Sequence, residues 1–292
     1  MKILHLDSGR EMRGGQWQVL RLHRALVEAG HQSFLLARQD GPLLTMAAQR
    51  GLPCAALGSL RLLVRSGGFD LVHAHDAHSH ASAAVFSRVP LVVSRRVAFP
   101  LRESAASRWK YARARRYLAV SRYVARILIA AGIDSDRIDV VYDGVELPAV
   151  AATGDDIVTP YTEDPAKRMA LAQEAAELAG LPLVCSKNLE RDLVHARAMI
   201  YLTESEGLGS GILLAMAYAV TVIATRTGGI PELIEDGVNG VLVQNEAESI
   251  VDGLNRIRGA LGATARETVQ NRFTVSHMVA ATLDSYRKAL ND

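Results

Sequence analysis

The stretch MIYLTESEGLGSGILLAMAYAVTVIAT, residues 199–225, decides the fold of the second half of this chain. An apolar run at Met199–Leu202 predicts a strand, three glycines then mark a tight turn, and Ser210–Tyr218 predicts a helix. The β-branched run at Thr221–Ala224 predicts the next strand. The uncharged part, 207–225, approaches the length of a membrane span, but the glycine turn and the β-branched end favour a strand–helix–strand unit.

The same alternation of strands and helices continues outward to both ends of the chain. The predicted strands are Ile3–Leu6, Ser33–Ala37, Leu71–His75, Leu91–Ser94, Tyr117–Val120, Ile138–Tyr142, Ile157–Val158, Leu183–Cys185 and Gly240–Val243. The further predicted helices include one ending at Gly30, one from Ser121 to Gly132, and Pro165–Ala179, Leu189–Ala196, Ala247–Leu261 and Val275–Leu290. Such alternation predicts α/β architecture with doubly wound parallel sheets, whose ligands bind at the carboxyl ends of the strands.

Length and composition indicate two globular domains. The chain has 292 residues, 49% hydrophobic and 22% charged, which excludes wholesale disorder. A Gly- and Pro-containing junction at Asp143–Asp156 predicts one domain over residues 1–147 and a second over 148–292. Two cysteines exclude a disulfide framework and favour a reducing, cytoplasmic setting, and the early Asp7 argues against a signal peptide.

Charge is distributed unevenly between the two halves. Residues 1–145 hold 21 Lys and Arg against 11 Asp and Glu, whereas the rest hold 12 against 20. Cations concentrate within residues 95–126, where Glu103 is the single acid. A solvated helix face, an anionic membrane surface and nucleic acid are the three interpretations, and the scarcity of aromatic residues disfavours nucleic acid. The cations of this segment include Arg95, Arg96, Arg102, Arg108, Lys110, Arg113, Arg115, Arg116, Arg122 and Arg126.

The turn after Met199–Leu202 carries the strongest chemical signal. Its glycines permit close approach of a ligand to the backbone, and the amides of the following helix attract phosphate. The Glu206 carboxylate can accept hydrogen bonds from sugar hydroxyls. The turn therefore predicts a ligand site, with a tight turn that binds nothing as the structural alternative.

Several motifs along the chain together resemble one family. Glu206-Gly207-Leu208-Gly209 with Ala215-Met216-Ala217 resembles the donor-site signature of GT-B glycosyltransferases of family 4, the group 1 glycosyltransferases. The other matching segments are Arg13–Gln16, Ala119–Ser121, Val141–Val145, Thr227–Ile234 and Asp236–Gly240. The resemblance implies two Rossmann-like domains facing across a cleft, with the acceptor on the first domain and the donor on the second. It also implies that the last helix packs back on the first domain.

The resemblance implies a retaining transferase that uses a nucleotide sugar linked to UDP, GDP or ADP, with no cofactor or metal required. Gly14 and Gly15 would cover the donor phosphates, His75 would line the reacting centre, and Glu206 would contact the sugar. Lys167 would neutralise the diphosphate leaving group. The amides near Gly209, Ser210 and Gly211 would hold phosphate. The implied acceptor is a cell-envelope glycan or a lipid-linked molecule, handled at the inner face of the membrane.

The chain departs from the family pattern at two donor positions. Leu214 stands where the family has a second glutamate, and Thr162 stands where it has an arginine five residues before the lysine. Leu214 also continues an apolar helix face. The second domain is short, with one strand–helix unit missing before Met199. These departures favour, as the alternative, a non-catalytic protein that binds a glycan or a partner; an epimerase would need a pair of carboxylates that the sequence does not supply.

The acceptor or membrane side is predicted from cations of the first half: Arg10, Arg95, Arg96, Arg113 and Arg116. Arg10 closes the turn Asp7–Arg10, which is equally a simple turn. The histidines at 73, 75, 78 and 80 also fit a zinc site in part, since a strand places His73 and His75 on one face. No cysteine and no carboxylate beyond Asp76 completes that set, so no metal is predicted.

Overall fold

The computed structural model describes residues 1–59 and 68–291. Its residues group into two compact units, Met1–Asp143 with the final helix Val275–Asn291, and Gly144–Thr274. Each unit is a parallel β-sheet covered by helices. The two parallel-sheet α/β domains predicted from the sequence are therefore confirmed as the fold class.

The first unit contains a seven-stranded sheet in the order β3-β2-β1-β4-β5-β6-β7, with every neighbouring pair parallel. Its order reverses between β1 and β4, where Leu6 lies opposite Ala74. The carboxyl ends of β1 and β4 therefore form a topological switch point, the usual ligand position in such sheets. The strands are β1 Lys2–Asp7, β2 Gln32–Ala37, β3 Cys54–Ala56, β4 Leu71–Ala74, β5 Leu91–Arg95, β6 Arg116–Ala119 and β7 Ile138–Val140.

Helices of the first unit cover this sheet, and three of those described begin at a side-chain cap. Ser121 Oγ accepts from Val124 N at 3.1 Å, as its predicted position before a helix requires. Asp76 and Ser104 cap two further helices in the same way. The described helices are α1 Gly14–Glu28, α2 Pro42–Gln49, α3 Ala77–Phe86, α4 Ala105–Ala112 and α5 Arg122–Ala130.

The second unit contains a five-stranded parallel sheet in the order β12-β11-β10-β8-β9. Its order reverses between β8 and β10, which gives this unit a switch point of its own. The strands are β8 Asp156–Pro160, β9 Leu183–Ser186, β10 Ala196–Tyr201, β11 Thr221–Thr225 and β12 Val241–Val243. The helices are α6 Met169–Leu178, α7 Leu189–Asp192, α8 Ser210–Ala217, α9 Ala247–Asn255 and α10 Gly259–Arg272.

The structure corrects three element predictions. The helix predicted over Ala247–Leu261 ends at Asn255, and α10 begins at Gly259. The buried residues of α10 include Leu261, Ala265 and Val269, each one turn apart. Because their neighbours are small or polar, the apolar periodicity of this helix is weak in the sequence. The helix predicted over Leu189–Ala196 is only one short turn followed by a 3-10 turn, and strand β3 was missed.

The final helix, α11 Val275–Asn291, belongs to the first unit. Its Met278, Tyr286 and Ala289 are buried in one cluster with Leu22 and Leu26 of α1. Among the described residues, none of the helices is both long and apolar enough to span a membrane.

Candidate functional site

At the switch point of the second unit, two side chains and one backbone amide meet on one carboxylate. Glu206 Oε2 accepts from Lys167 Nζ at 2.7 Å and from the Tyr201 hydroxyl at 2.7 Å. Glu206 Oε1 accepts from the amide of Gly207 at 3.0 Å. Tyr201 ends β10 and Lys167 follows β8, so the two central strands bring these groups together.

The Lys167–Glu206 ion pair is accessible from solvent. The lysine side chain is 30% exposed and the glutamate side chain 17%. The Tyr201 side chain is half-buried, and the loss of solvent around its hydroxyl, helped by the adjacent Glu206 carboxylate, raises the pKa of that hydroxyl well above the ordinary value. Tyr201 therefore stays protonated and donates to the carboxylate throughout the neutral range.

Glycines let the surrounding loops approach this cluster. Gly228 has φ of 57°, and a Cβ there would lie 2.0 Å from the Glu206 carbonyl oxygen. The amide of Gly229 donates to that same oxygen at 3.0 Å. A Cβ at Gly211 would meet the Tyr201 ring at 3.2 Å, and Gly209, with φ of 109°, precedes the first turn of α8. Side chains at these positions would push the loop or the tyrosine away from Glu206.

The two positions at which the chain departs from the family pattern, Thr162 and Leu214, have different surroundings. Thr162 Oγ1 accepts from the Asp164 amide at 3.1 Å and so shapes the turn that precedes Lys167. The adjacent Arg168 pairs with Glu204 at 2.5 Å, and both of these side chains are about half exposed. Leu214 is half-buried on α8, whereas its neighbours Leu213 and Ala215 are fully buried.

At the switch point of the first unit, the His75 ring is buried and both of its nitrogens are occupied. Arg96 Nη1 donates to His75 Nδ1 at 3.3 Å, and because a guanidinium can only donate, Nδ1 carries no proton. A neutral His75 is then protonated on Nε2, which donates to His5 Nδ1 at 2.9 Å. His5 is consequently protonated on Nε2, a buried atom for which the described residues offer no hydrogen-bond partner.

A second buried histidine, His73, connects this cluster to the final helix. Its Nδ1 lies 2.6 Å from the Tyr286 hydroxyl and its Nε2 lies 2.8 Å from Ser94 Oγ. Burial lowers the pKa of His5, His73 and His75 well below the usual histidine value, and Arg96 lowers all three further. The three imidazoles are therefore neutral at physiological pH.

Arg96 is the central cation of this edge. It pairs with Asp143 at 3.2 Å, with side-chain exposures of 16% and 5%. A Cβ at Gly15 would lie 3.8 Å from Arg96 Cδ, so the start of α1 lies over the arginine side chain. Gly14, His75 and Arg96 thus belong to one edge of the first sheet.

Two aspartates complete the edge of the first unit. Asp76 accepts from the amide and hydroxyl of Ser8, at 2.6 Å each, and from the start of α3, and these bonds outweigh burial and lower its pKa. Asp7 is buried, and burial raises its pKa although the Gly9 amide and Gln16 donate to it. The Asp7–Arg10 turn is thus strongly held, while the Arg10 side chain itself is exposed.

Only some of the arginines predicted on the acceptor or membrane side are exposed to solvent. Arg116 is buried and pairs with Asp139 at 2.7 Å, and Asp139 also accepts from Lys288 of α11 at 2.9 Å. The membrane-facing interpretation is therefore wrong for Arg116, and Arg96 is directed towards Asp143 and His75. Arg95 contacts the Tyr111 hydroxyl at 3.2 Å, whereas Arg113 is exposed and bonds only through Nε to the Ala84 carbonyl among the contacts described.

The histidines do not gather as the zinc interpretation requires. His78 is exposed, and His80 Nε2 lies 3.2 Å from the Lys110 carbonyl. His5 instead joins His73 and His75, with one nitrogen of each within 4.8 Å of the others. A metal there would have to displace bonds to Ser94 or Tyr286 and accept the charge of Arg96 nearby, so the donor set suits neutral hydrogen bonding better than metal ligation.

Sequence reasoning missed three residues of these two edges. Tyr201 reads as an ordinary strand residue, although a tyrosine ending a strand that faces a glycine turn is a signal for a polar contact. His5 and Asp143 take their importance from partners 70 and 47 positions away, His75 and Arg96. Local patterns cannot reveal such partners.

Family models match most of the chain. The model described as Glycosyltransferase Family 4 matches residues 12–148, and that described as Glycosyl transferases group 1 matches residues 156–258. Alpha-maltose-1-phosphate synthase of Mycobacterium tuberculosis is 29% identical over 161 residues, 49% of this chain and 41% of that protein. N-acetyl-alpha-D-glucosaminyl L-malate synthase of Bacillus anthracis is 31% identical over 36% of this chain and 29% of that protein. The matched segments thus span about two fifths or less of these relatives.

Solved structures share the fold over nearly the whole chain. HepE of Anabaena, in complex with UDP and glucose, superposes with a TM-score of 0.83 at 17% identity, covering 98% of this chain and 99% of that one. A glycosyltransferase from Rickettsia africae superposes with a TM-score of 0.82 at 16% identity, covering 100% and 99%. With two family models matching in order along the two units, the chain belongs to the group 1 glycosyltransferases of family 4.

Proposed function

We propose that this protein transfers a hexose from a nucleotide-sugar donor to a glycan or a lipid-linked acceptor, with retention of anomeric configuration. The observation that carries the proposal is the meeting of Lys167, Glu206 and Tyr201 beside the glycine turn that starts α8. A cation, a carboxylate and a helix start in one place match the charges of a diphosphate and the hydroxyls of a sugar.

The donor roles are assigned to the second unit. Lys167 and the amides around Gly209, Ser210 and Gly211 would hold the diphosphate, and Glu206 would accept hydrogen bonds from the sugar. Leu214 would lie where the family contacts the nucleotide, without a charge. Structures of HepE were obtained with UDP and with UDP-glucose, which makes UDP conjugates the first donors to test, followed by GDP and ADP conjugates.

The chemistry exchanges a glycosyl phosphate bond for a glycosidic bond. The bond between the anomeric carbon and the phosphate oxygen breaks, and the diphosphate keeps the electron pair. The acceptor oxygen forms the new bond and loses its proton to the departing phosphate. Lys167 would stabilise the charge that develops on the leaving group, and the groups of the first unit, His75, Gly14, Gly15 and Arg96, would line the reacting side. We assign no protein nucleophile.

A thermal-shift panel with UDP, GDP, ADP and their hexose conjugates tests the donor site. A ligand at 100 times its dissociation constant stabilises by about 2.7 kcal/mol, which raises the melting temperature of a chain of this size by several degrees. Glu206→Ala should then abolish transfer while leaving the melting temperature of the ligand-free protein within a few degrees. A panel without any shift would overturn the proposal.

We further propose that the acceptor is met at an anionic membrane surface on the cytoplasmic side. None of the eight residues of α4 is buried, and the nearby Phe99 and Trp109 are 67% and 51% exposed. Exposed Arg102 and Arg108 flank them in the sequence. Aromatic side chains beside cations suit the interface of an anionic bilayer.

Vesicle binding tests this surface. The fluorescence of Trp109, in a Trp17→Phe background, should shift to the blue with vesicles containing phosphatidylserine and should not shift with phosphatidylcholine alone. The double variant Arg102→Ala, Arg108→Ala should weaken binding by about thirtyfold, because each of the two cations near the surface contributes about 1 kcal/mol. Equal binding to both vesicle types would exclude the cationic contribution.

A further inference from the structure

We propose that the Lys167–Glu206 ion pair makes the donor site select an intact nucleotide sugar over the free nucleoside diphosphate. The inference rests on the proposed function and specifies how its donor site discriminates between substrate and product. It follows from the number of hydrogen bonds that Glu206 already accepts.

The Glu206 carboxylate has little unused capacity. Two carboxylate oxygens offer about four lone-pair positions. Lys167 and Tyr201 occupy Oε2, and the Gly207 amide occupies one position on Oε1. Counting the contacts within residues 1–59 and 68–291, about one position is therefore left for a sugar hydroxyl while the lysine remains in place.

Lys167 is the partner that a ligand can draw away. Its side chain is 30% exposed, and its Nζ is at the end of a flexible stem. The Tyr201 hydroxyl cannot leave so readily, because the half-buried ring ends strand β10 and the backbone of Gly211 lies against it, where an added Cβ would be 3.2 Å from the ring. The Gly207 amide belongs to the residue that follows Glu206, so its position is set by the backbone.

A free diphosphate and a sugar diphosphate then face different costs. Either ligand attracts Lys167 Nζ, which leaves the 17%-exposed Glu206 short of one charged partner. Sugar hydroxyls can take the vacated position on Oε2 and the open position on Oε1, whereas a free diphosphate offers no donor there. The ion pair thus opposes binding of the product and is compensated only when the ligand carries the sugar.

The decisive variant is Glu206→Gln, which keeps the shape of the side chain and removes the charge that holds Lys167. Calorimetry with UDP and UDP-glucose, or with the pair selected by the thermal-shift panel, should show opposite effects. The nucleoside diphosphate should bind about three- to tenfold more tightly, because its phosphates no longer compete for the lysine. The sugar conjugate should bind about tenfold more weakly, because the amide is a poorer acceptor for its hydroxyls.

Two further variants keep the result interpretable. Glu204→Gln removes a carboxylate from the same loop, whose partner Arg168 adjoins Lys167, and should change neither affinity by more than about twofold. Tyr201→Phe removes one donor to Glu206, so the carboxylate holds Lys167 more strongly and both ligands should bind more weakly. Melting temperatures confirm that each variant is folded.

The outcomes separate this inference from the proposed function. If the unmodified protein binds both ligands and Glu206→Gln weakens or strengthens both in parallel, the selection mechanism is overturned while the donor site stands. If the unmodified protein binds neither the nucleoside diphosphates nor their conjugates, the proposed function and the inference fall together.

Discussion

The two sheets each place an ion pair near their switch point, and the two pairs differ in burial. Arg96 and Asp143 are 16% and 5% exposed, whereas Lys167 and Glu206 are 30% and 17% exposed. A buried pair cannot lose one partner without leaving a charge in a poor solvent, but an open pair can exchange a partner for water or a ligand. The first edge is therefore built to keep its geometry, and the second is built to exchange partners.

The two units also differ in the burial of their histidines. The first unit holds five buried histidines, His5, His23, His73, His75 and His80, and burial is the main cause that lowers each pKa. In the second unit, His195 is exposed. The first edge thus contains buried rings that stay neutral, while the second contains a solvent-accessible ion pair.

Acid should reveal this contrast most strongly. Burial lowers the pKa of His23 and His80 to about 4, and those of His5, His73 and His75 fall well below 6.5, the unfolded value. Below pH 6.5 the unfolded chain binds more protons, so the free energy of unfolding falls as pH falls towards about 4. At pH 5.5 each of these histidines should lower the free energy of unfolding by about 1.4 kcal/mol relative to neutral pH.

Hydrogen exchange at pH 7.5 and 5.5 locates that loss. We expect protection to fall in the sheet of the first unit and to change little in that of the second. In urea denaturation of the His5→Asn variant, the slope of the free energy of unfolding against pH should correspond to one proton fewer taken up on unfolding than in the unmodified protein. Equal losses in both units would contradict the assignment of acid sensitivity to the buried rings.

Removal of Arg96 should cost the next largest amount. Arg96→Ala removes the guanidinium that pairs with the buried Asp143 carboxylate, which should lower the free energy of unfolding by about 3 kcal/mol. Arg108→Ala, on the exposed face of α4, is the matched control and should change it by less than about 0.5 kcal/mol. Chemical denaturation measures both, and similar small values would show that the Arg96 pair is not a structural element.

Glycine at position 228 should matter through close approach rather than through φ alone. Gly228→Ala brings a methyl group towards the Glu206 carbonyl and should cost about 2–3 kcal/mol. Gly237 also has positive φ, 76°, but its nearest neighbour would be 3.6 Å away, so Gly237→Ala should cost about 1 kcal/mol. If thermal denaturation gave equal losses of stability for the two variants, the loop around Glu206 would be able to move away from the added methyl group at little cost in free energy.

The smallest change in stability should come from the open pair. Lys167→Ala should lower the free energy of unfolding by less than about 1 kcal/mol, because solvent can replace the lysine at a partly exposed carboxylate. The same variant should reduce donor turnover by at least about a hundredfold. A loss of stability as large as that of Arg96→Ala would remove the distinction between the two edges.

Much of the architecture is predictable from local patterns because apolar runs and glycine turns recur at the spacing of strands and helices. The strands that carry both edges, β1, β4, β8 and β10, were all anticipated within a few residues of their ends. Helix α10 was not, because its buried stripe is spread over small and polar residues and depends on Gly262. A Cβ there would meet the Ala219 carbonyl at 2.0 Å, a contact between positions far apart in the chain.

The candidate sites likewise contain some residues that the sequence identifies and others that it does not. Lys167 and Glu206 could be named from motifs, and the structure joins them although they are 39 residues apart. His5 could not be assigned a role, since its partner His75 lies 70 positions away at the end of the neighbouring strand. Tyr201 could not be assigned one either, because Glu206 meets its hydroxyl only once the glycine turn has folded back on the strand. The prediction that Arg116 lies on the acceptor or membrane side was wrong, because a residue type does not reveal whether a carboxylate faces it.

The sequence by itself determined the alternation of strands and helices, the two parallel sheets and the glycine turn that follows Met199–Leu202. These follow from periodicity and from the conformational freedom of glycine, which are local properties of the chain. Tertiary structure alone decided which charges are buried in pairs, which histidine carries its proton on which nitrogen, and which carboxylate keeps an open position. Those properties depend on the distance between groups on different strands, and electrostatic and hydrogen-bond energies change steeply with that distance and with burial.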